Sequence, residues 1–189
     1  MIITPTTKSP RRAAPILHLS DPGRIPPVAI VDSREQAPLL LPGLETVVRG
    51  LTSGDYSLVG AEHLFAVERK SLNDLVGCVT GERARFEREL IRLRGYRFHR
   101  LLLVCTEDDI MAGRYRSTVT PNAVLSSLAT WEARFDCPVV FGDTPTIAGI
   151  LVANWIRFFA RELVKDVSNM LATTVEAQAP VNQPEKQEA

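Results

Sequence analysis

The sequence predicts a mixed α/β domain, a central sheet flanked by helices, on three observations. Short apolar runs bounded by turn residues alternate with longer segments in which apolar residues recur every three or four positions. Several strands come first, and then helix, strand, helix, strand and helix follow, which is typical of helices packed on a sheet. The chain has 189 residues, 45% of them hydrophobic, which is enough for one domain with a sizeable core.

The predicted strands are short apolar runs that end at glycine, proline or a charged residue. They cover residues 28–31, 46–49, 56–59, 64–68, 101–105 and 139–141. A loop that begins at Gly60 separates the third strand from the fourth, so we expect these two strands to form a hairpin.

The predicted helices are segments in which one face is apolar. They cover residues 82–94, 122–135 and 146 to about 171. Before them, Ser71 has the right chemistry to cap a short helix, and Asp74 stands three residues on, as in a capping box with Asp in place of Glu. The helix at 82–94 is the clearest, because Phe86, Leu90 and Leu93 recur on one face.

Composition divides the chain into three parts. Residues 1–26 are rich in Pro, Thr and Arg and are predicted to form a flexible basic arm; residues 27–172 form the folded domain; residues 173–189 form a disordered polar tail. No apolar run approaches the roughly 20 residues that a membrane helix needs. The three cysteines are scattered, so we expect reduced thiols in an intracellular protein that does not associate with a membrane.

The residue pattern that points to chemistry lies in the predicted hairpin. Glu68 and Lys70 stand two apart on a strand, so they share one face and Arg69 takes the other. Asp55 precedes the partner strand, so strand pairing can bring it close to Glu68. Two adjacent carboxylates repel each other unless a cation lies between them, and Mg²⁺ takes one or two carboxylates. Lys70 would orient water or offset phosphate charge, and Asp32 is a third acidic candidate at the same sheet end.

Each of these features also has an ordinary structural explanation. A Glu-x-Lys pair is most often an exposed ion pair, and an Asp after Gly is often part of a turn. Asp74 in a first helical turn is explained by capping and the helix dipole. The features are far more specific together than any one of them is alone.

Together they read GD at 54–55 and ERK at 68–70, followed after three residues by Asp74. This pattern resembles the nuclease signature of the XPF, Hef and Mus-type structure-specific endonucleases. Upstream, VDSRE at 31–35 is similar to the D-x-R-E segment that opens the same domain. The resemblance covers about residues 28–165.

The resemblance implies a restriction-endonuclease-like fold and a divalent-metal-dependent DNA endonuclease. Its substrates would be branched, flap or fork DNA in repair or recombination, and the protein would be found with the DNA. Asp55 and Glu68 would be metal ligands, with the carbonyl of Arg69 as a third. Lys70 would activate water, and Mn²⁺ is expected to substitute for Mg²⁺.

The resemblance also assigns supporting residues. Asp32 would be an auxiliary acid, Arg34 a structural or phosphate-contacting residue, and Asp74 would support the site from the helix. The side chains of Glu35 and Arg69 stay ambiguous, because a buried ion pair explains them as well.

A basic helix follows the signature. Seven arginines and three glutamates between residues 81 and 100 give a local charge of +4, although the whole chain is neutral. Arg83 stands where the family has its basic helix, and Arg85, Arg88 and Arg92 cluster opposite the apolar face. A phosphate-binding role and a merely solvated helix face both fit this stripe.

The resemblance leaves partners and activity open. Many family members carry helix-hairpin-helix motifs after the nuclease domain, but none is visible here, so we expect a partner to supply DNA docking. The apolar surface of the last helix is either core or partly the face of a homodimer or heterodimer. Two alternatives to a structure-specific nuclease remain: a catalytically silent DNA-binding or scaffolding subunit, and a nuclease of the same fold that cuts ordinary duplex.

Overall fold

The computed structural model describes residues 26–178, and the structural statements below concern this part of the chain. The predicted arm, except Pro26, and residues 179–189 of the predicted tail lie outside the described residues.

Six strands form one sheet in the order β2-β1-β3-β4-β5-β6. They are β1 (Ala29–Asp32), β2 (Thr46–Arg49), β3 (Tyr56–Leu58), β4 (Phe65–Ser71), β5 (Phe98–Val104) and β6 (Val139–Phe141). β1 and β2 are parallel, β3 runs antiparallel to both of its neighbours, and β4, β5 and β6 are parallel. The predicted hairpin is therefore confirmed as β3 and β4. β5 begins three residues before the predicted strand.

Five helices connect or follow these strands. They are α1 (Leu72–Val79), α2 (Arg83–Leu93), α3 (Glu107–Met111), α4 (Pro121–Phe135) and α5 (Pro145–Gln178). The sequence did not predict α3, because five residues are too few to show helical periodicity; a capping box of Thr106 and Asp109 begins it. α5 ends later than predicted, so the helix continues past the domain boundary set at residue 172.

The helices cover the two faces of the sheet. On one face, α1, α2 and α4 pack around a buried cluster that includes Phe86, Leu90 and Trp131. On the other face, α5 places Val152 and Ile156 against the sheet. In the described part of the chain, no helix is long and apolar enough to cross a membrane.

The junction between β4 and α1 positions the functional segment. Ser71 ends β4 and is also the N-cap of α1, where its hydroxyl accepts a hydrogen bond from the Asp74 N–H. The Ser71 hydroxyl also donates to the Asp74 carboxylate at 2.6 Å, so the capping prediction is confirmed in a modified form. Residues 68–70 are therefore held between a central strand and a capped helix.

Candidate active site

Three acidic residues lie side by side where β1, β3 and β4 meet. Tyr56 pairs with Val67 across β3 and β4, and the Asp55 N–H donates to the Val67 carbonyl, which sets Asp55 opposite Glu68. The Asp32 N–H donates to the Asp55 carbonyl at 2.8 Å. Strand register thus brings together the two carboxylates that the sequence predicted to meet, with Asp32 beside them.

Gly54 makes this approach sterically feasible. Its φ of 77° lies in the left-handed region, and a Cβ there would stand 3.1 Å from the Val67 carbonyl oxygen. Any other residue would push the Asp55 segment away from β4. The GD pair of the signature is therefore a steric requirement of the β3–β4 approach.

Asp55 is a partly buried carboxylate with one backbone partner. Its Oδ2 accepts a hydrogen bond from the Arg69 N–H at 2.7 Å. Burial and the nearby charge of Glu68 raise the pKa of Asp55 to about 7, although the Arg69 hydrogen bond opposes the shift. Without a cation, the ionised form of Asp55 is therefore disfavoured near neutral pH.

Glu68 is buried and paired with Lys70. The Lys70 ammonium donates to Glu68 Oε1 at 2.6 Å and lies 3.9 Å from Glu89 Oε2. Burial raises the pKa of Glu68 despite the opposing effect of Lys70. Burial alone would lower the pKa of Lys70, but the Glu68 charge outweighs it and raises that pKa, so Lys70 is an ammonium ion. Within the described residues, the charged partners of Lys70 are therefore Glu68 on β4 and Glu89 on α2.

The donor set fits a hard divalent cation. Asp55 and Glu68 are carboxylates partly or fully withdrawn from water, and burial, followed by the nearby charge of Glu68, raises the pKa of Asp55. Arg69 lies on β4 immediately after Glu68, so its carbonyl is available as the predicted third ligand. Within residues 26–174, no group of three or more His, Cys, Asp or Glu side chains is arranged to hold a metal, so a cation here needs two carboxylates, backbone oxygen and water.

Asp32 is saturated by protein donors. Its two oxygens accept four hydrogen bonds, three from Arg34 and one from the Leu51 N–H at 2.6 Å. Burial disfavours its charge, but these bonds outweigh burial and lower the pKa of Asp32. Asp32 therefore holds Arg34 in place, while the Arg34 side chain remains 71% exposed.

A cleft of about 450 Å³ opens over these carboxylates. Its residues include Asp32, Arg34, Ser53, Asp55, Glu68, Arg85, Glu89 and Arg92. Arg85 and Arg92 are exposed on α2 and form the basic rim opposite the β1–β3 side. Acidic groups thus lie at the floor of the cleft, and guanidinium groups lie at its edge.

Two predicted DNA-contacting arginines do not line this cleft. Arg83 donates to Glu87 at 3.1 Å and to the Ser127 hydroxyl at 2.9 Å, and its guanidinium lies over the Trp131 ring. It therefore ties α2 to α4, because the first turn of α2 faces α4. Arg88 is exposed on α2 but is not among the cleft residues.

A second depression of about 570 Å³ adjoins the cleft on the α1 side. Asp74, at the start of α1, lines it together with Lys70 and Asp55. The ambiguous pair, Glu35 and Arg69, also lies here, with Arg69 Nη1 3.5 Å from Glu35 Oε1 and both side chains mostly buried. That geometry fits the ion-pair explanation for these two residues.

Several residues of the cleft were not predicted from the sequence, among them Glu89 and Ser53. Glu89 comes within reach of Lys70 because α2 packs over the end of β4; its position between Arg85 and Arg92 on one helical face was the available signal. Ser53 lines the cleft, and its buried hydroxyl has no hydrogen-bond partner in the described part of the chain. No pattern in the sequence distinguished it from any other turn residue.

The comparisons with known proteins concern the fold and the family. Among solved structures, XPF from Aeropyrum pernix is similar, with a TM-score of 0.58 and 18% identity over 82% of this chain and 75% of that chain. XPF from Aeropyrum pernix in complex with DNA gives a TM-score of 0.56 and 19% identity over 72% of this chain and 66% of that one. The likeness confirms the predicted fold.

A search of curated proteins finds no match. The family model of the ERCC4 domain matches residues 31–153. This range includes the β3–β4 hairpin, the three acidic residues Asp32, Asp55 and Glu68, and helix α2. The predicted resemblance to XPF-type nucleases is therefore confirmed, and the chain belongs to the ERCC4 domain family.

Proposed function

We propose that the chain is a divalent-metal-dependent DNA endonuclease that hydrolyses phosphodiester bonds at branched, flap or fork DNA in repair or recombination. The observation that carries the proposal is the approach of Asp55 to Glu68 across the β3–β4 hairpin, with the Lys70 ammonium on Glu68. This arrangement concentrates negative charge that a cation would offset, next to a positive group that a phosphate would meet.

The residues divide the chemistry between them. Asp55 and Glu68 would hold Mg²⁺ or Mn²⁺, and a bound cation supplies Lewis-acid stabilisation of charge on the phosphate. Lys70 keeps its proton, so its part is to hold the attacking water by hydrogen bonding and to offset the charge that develops on the phosphate. Asp74 would support this end of the site from α1.

DNA would enter along the basic rim. Arg34, Arg85 and Arg92 present exposed guanidinium groups around the acidic floor, the distribution expected for contacts to flanking phosphates. The solved structure of XPF from Aeropyrum pernix with DNA supports DNA as the ligand of this fold. A protein that binds DNA is expected in a compartment that contains DNA.

A catalytically silent DNA-binding or scaffolding subunit is the second candidate. The 2.6 Å contact between Lys70 and Glu68 is compatible with it as well, because a buried carboxylate is normally paired whether or not the site is catalytic. The first candidate requires the incoming cation to share Glu68 with Lys70.

We also propose that the chain pairs through α5, as a homodimer or heterodimer, and that a partner supplies additional DNA docking. Large apolar side chains stay exposed along this helix: Ile147, Ile150, Phe158, Val167, Met170 and Leu171. Exposed apolar surface of this extent is typical of a protein interface. Other residues of the same helix, such as Val152 and Ile156, are core, so the two sequence-based explanations apply to different parts of α5.

A cleavage assay separates the candidates. Labelled duplex, nicked, 3′-flap and fork DNA are incubated with the protein in Mg²⁺, in Mn²⁺ and in excess chelator. Metal-dependent cleavage of fork or flap DNA supports the proposal, and equal cutting of plain duplex indicates the duplex-cutting alternative. DNA binding without cleavage in either metal identifies the silent subunit.

A further inference from the structure

A polar groove of about 330 Å³ runs along the outer side of α1, next to the cleft. Its residues are Asn73, Val76, Gly77, Thr80, Arg116 and Ser117. None of them is acidic, whereas the floor of the cleft holds several carboxylates. Amide, hydroxyl and guanidinium groups are those that contact DNA phosphates and sugars in a sequence-independent way.

The loop after α3 supplies the charge of this groove. The Arg116 N–H donates to Asn73 Oδ1 at 3.3 Å, which ties the loop to the first turn of α1. The Tyr115 hydroxyl donates to the Val119 carbonyl at 2.9 Å and closes the loop on itself. The Arg116 side chain is exposed and makes no ion pair within residues 26–174, whereas its neighbour Arg114 pairs with Asp109 at 2.7 Å.

Gly77 is a second, independent observation. It lies inside α1, where glycine costs about 1 kcal/mol relative to alanine. Its φ is not in the left-handed region, and a Cβ at this position would meet no atom within 4 Å. The fold therefore does not require glycine here, whereas a ligand backbone that lay close against α1 would require it.

The groove continues the path of the cleft. Asn73 adjoins Asp74, and Asp74 lines the depression that contains Lys70 and Asp55. From Asn73 to Thr80, α1 rises about 10 Å, which equals roughly three phosphates of one strand along the duplex axis. A DNA arm that leaves the site on the α1 side would therefore reach Arg116 within a few nucleotides.

We infer that this groove binds the sugar-phosphate backbone of one arm of the DNA substrate. The inference rests on the proposed function and adds a second contact surface, which contains none of the α2 arginines. Arg116 contacts a phosphate, the Ser117 hydroxyl and the Asn73 amide lie beside it, and Gly77 leaves room for the strand.

The test measures binding of fluorescent fork DNA by anisotropy in chelator, across a KCl series, with one arm shortened stepwise. Arg116→Ala should weaken binding of the long-armed fork about 3- to 10-fold and reduce the salt slope by about 1. Arg116→Lys should recover most of that loss. Gly77→Gln should weaken binding while the melting temperature stays the same or rises, because glutamine favours helix. With the shortened arm, wild type and variants should bind alike.

Two matched controls define the result. Arg114→Ala removes a charge from the same loop outside the groove, and Ala133→Gln adds the same side chain to an exposed position of α4; both should bind as wild type does. If Arg116→Ala and Gly77→Gln bind the long-armed fork as tightly as wild type, and wild type cleaves it in Mg²⁺, the groove inference is overturned and the proposed function stands. If wild type neither binds nor cleaves DNA, the groove inference and the proposed function are both wrong.

Discussion

Replacing Asp55 by asparagine should make the metal-free protein more stable at mildly alkaline pH. The wild-type carboxylate faces Glu68 and is partly buried, so its ionisation is unfavourable without a cation. Asparagine keeps an oxygen that accepts from the Arg69 N–H but carries no charge. The same change removes a proposed metal ligand and should abolish cleavage, so stability and activity move in opposite directions.

The size of the effect follows from the raised pKa. Below about pH 3.8, Asp55 is protonated in both the folded and the unfolded state, so no buried charge lowers the free energy of unfolding. As the pH rises towards about 7, the unfolded state loses the proton first, so the wild type loses stability until the folded state ionises as well. At about 1.4 kcal/mol per pKa unit the full loss is about 4 kcal/mol. Relaxation and water penetration reduce such penalties, so we expect a loss of about 1–3 kcal/mol between about pH 4 and about pH 7.

Urea unfolding in chelator measures this difference. The stability advantage of Asp55→Asn should grow between about pH 4 and about pH 7 and then stay constant. Added Mg²⁺ should stabilise the wild type but not the variant. An Asp55→Asn protein that is less stable than wild type at the higher pH, or an advantage that does not change with pH, would refute the reasoning.

Asp32→Asn is a control of opposite sign. Asp32 accepts four hydrogen bonds and its pKa is lowered, so its charge stabilises the fold above its unfolded pKa. Asn presents an NH₂ group to the same donors, and we expect a loss of about 1–3 kcal/mol near neutral pH. The deficit should shrink as the pH falls through the lowered pKa, because the wild-type contribution is lost there. Two neighbouring Asp→Asn changes should thus shift stability in opposite directions.

Three further predictions concern the cleft. Lys70→Ala should lower the single-turnover cleavage rate about 10²- to 10³-fold while metal and DNA binding persist, and Lys70→Arg should rescue poorly; an unchanged rate would remove Lys70 from the chemistry. Combined Arg85→Ala and Arg92→Ala should weaken binding to all DNA sequences and lower the salt slope of the DNA affinity by about 2, whereas Arg88→Ala should change this slope less. Equal effects of these changes in a salt titration would contradict the assignment of Arg85 and Arg92 to the cleft. Gly54→Ala should lower the melting temperature, with an unfolding free energy reduced by about 1 kcal/mol or more, and impair cleavage; a variant as stable and active as wild type would show that the close approach is not required.

The hairpin and its acidic pair were predictable because the relevant information is local. Glycine before Asp55 marks a turn, the alternation of Glu68 and Lys70 fixes a shared strand face, and a short loop joins the strands. Register in a hairpin follows from these features alone, so the approach of Asp55 to Glu68 could be inferred without knowledge of the tertiary fold.

The surroundings of the pair depend on contacts between distant segments, which periodicity does not encode. Arg83 appeared to belong to the basic stripe, but the packing of α2 on α4 gives it Ser127 as a partner 44 residues away. Glu89 joins Lys70 only because α2 lies over the end of β4. Asp32 looked like a free acid until Leu51, 19 residues on, supplied a backbone donor.

Single-turnover cleavage of fork DNA by wild type and by the two variants Asp55→Asn and Glu68→Gln tests the central claim most directly. We expect wild type to cleave the fork in Mg²⁺ but not in excess chelator. Neither variant should cleave it, although both should still bind it. Removal of one negative charge beside the phosphate should leave that binding as tight as in wild type, or tighter. Cleavage by wild type in excess chelator, or near-normal rates for both variants, would contradict the claim that Asp55 and Glu68 form a catalytic metal site.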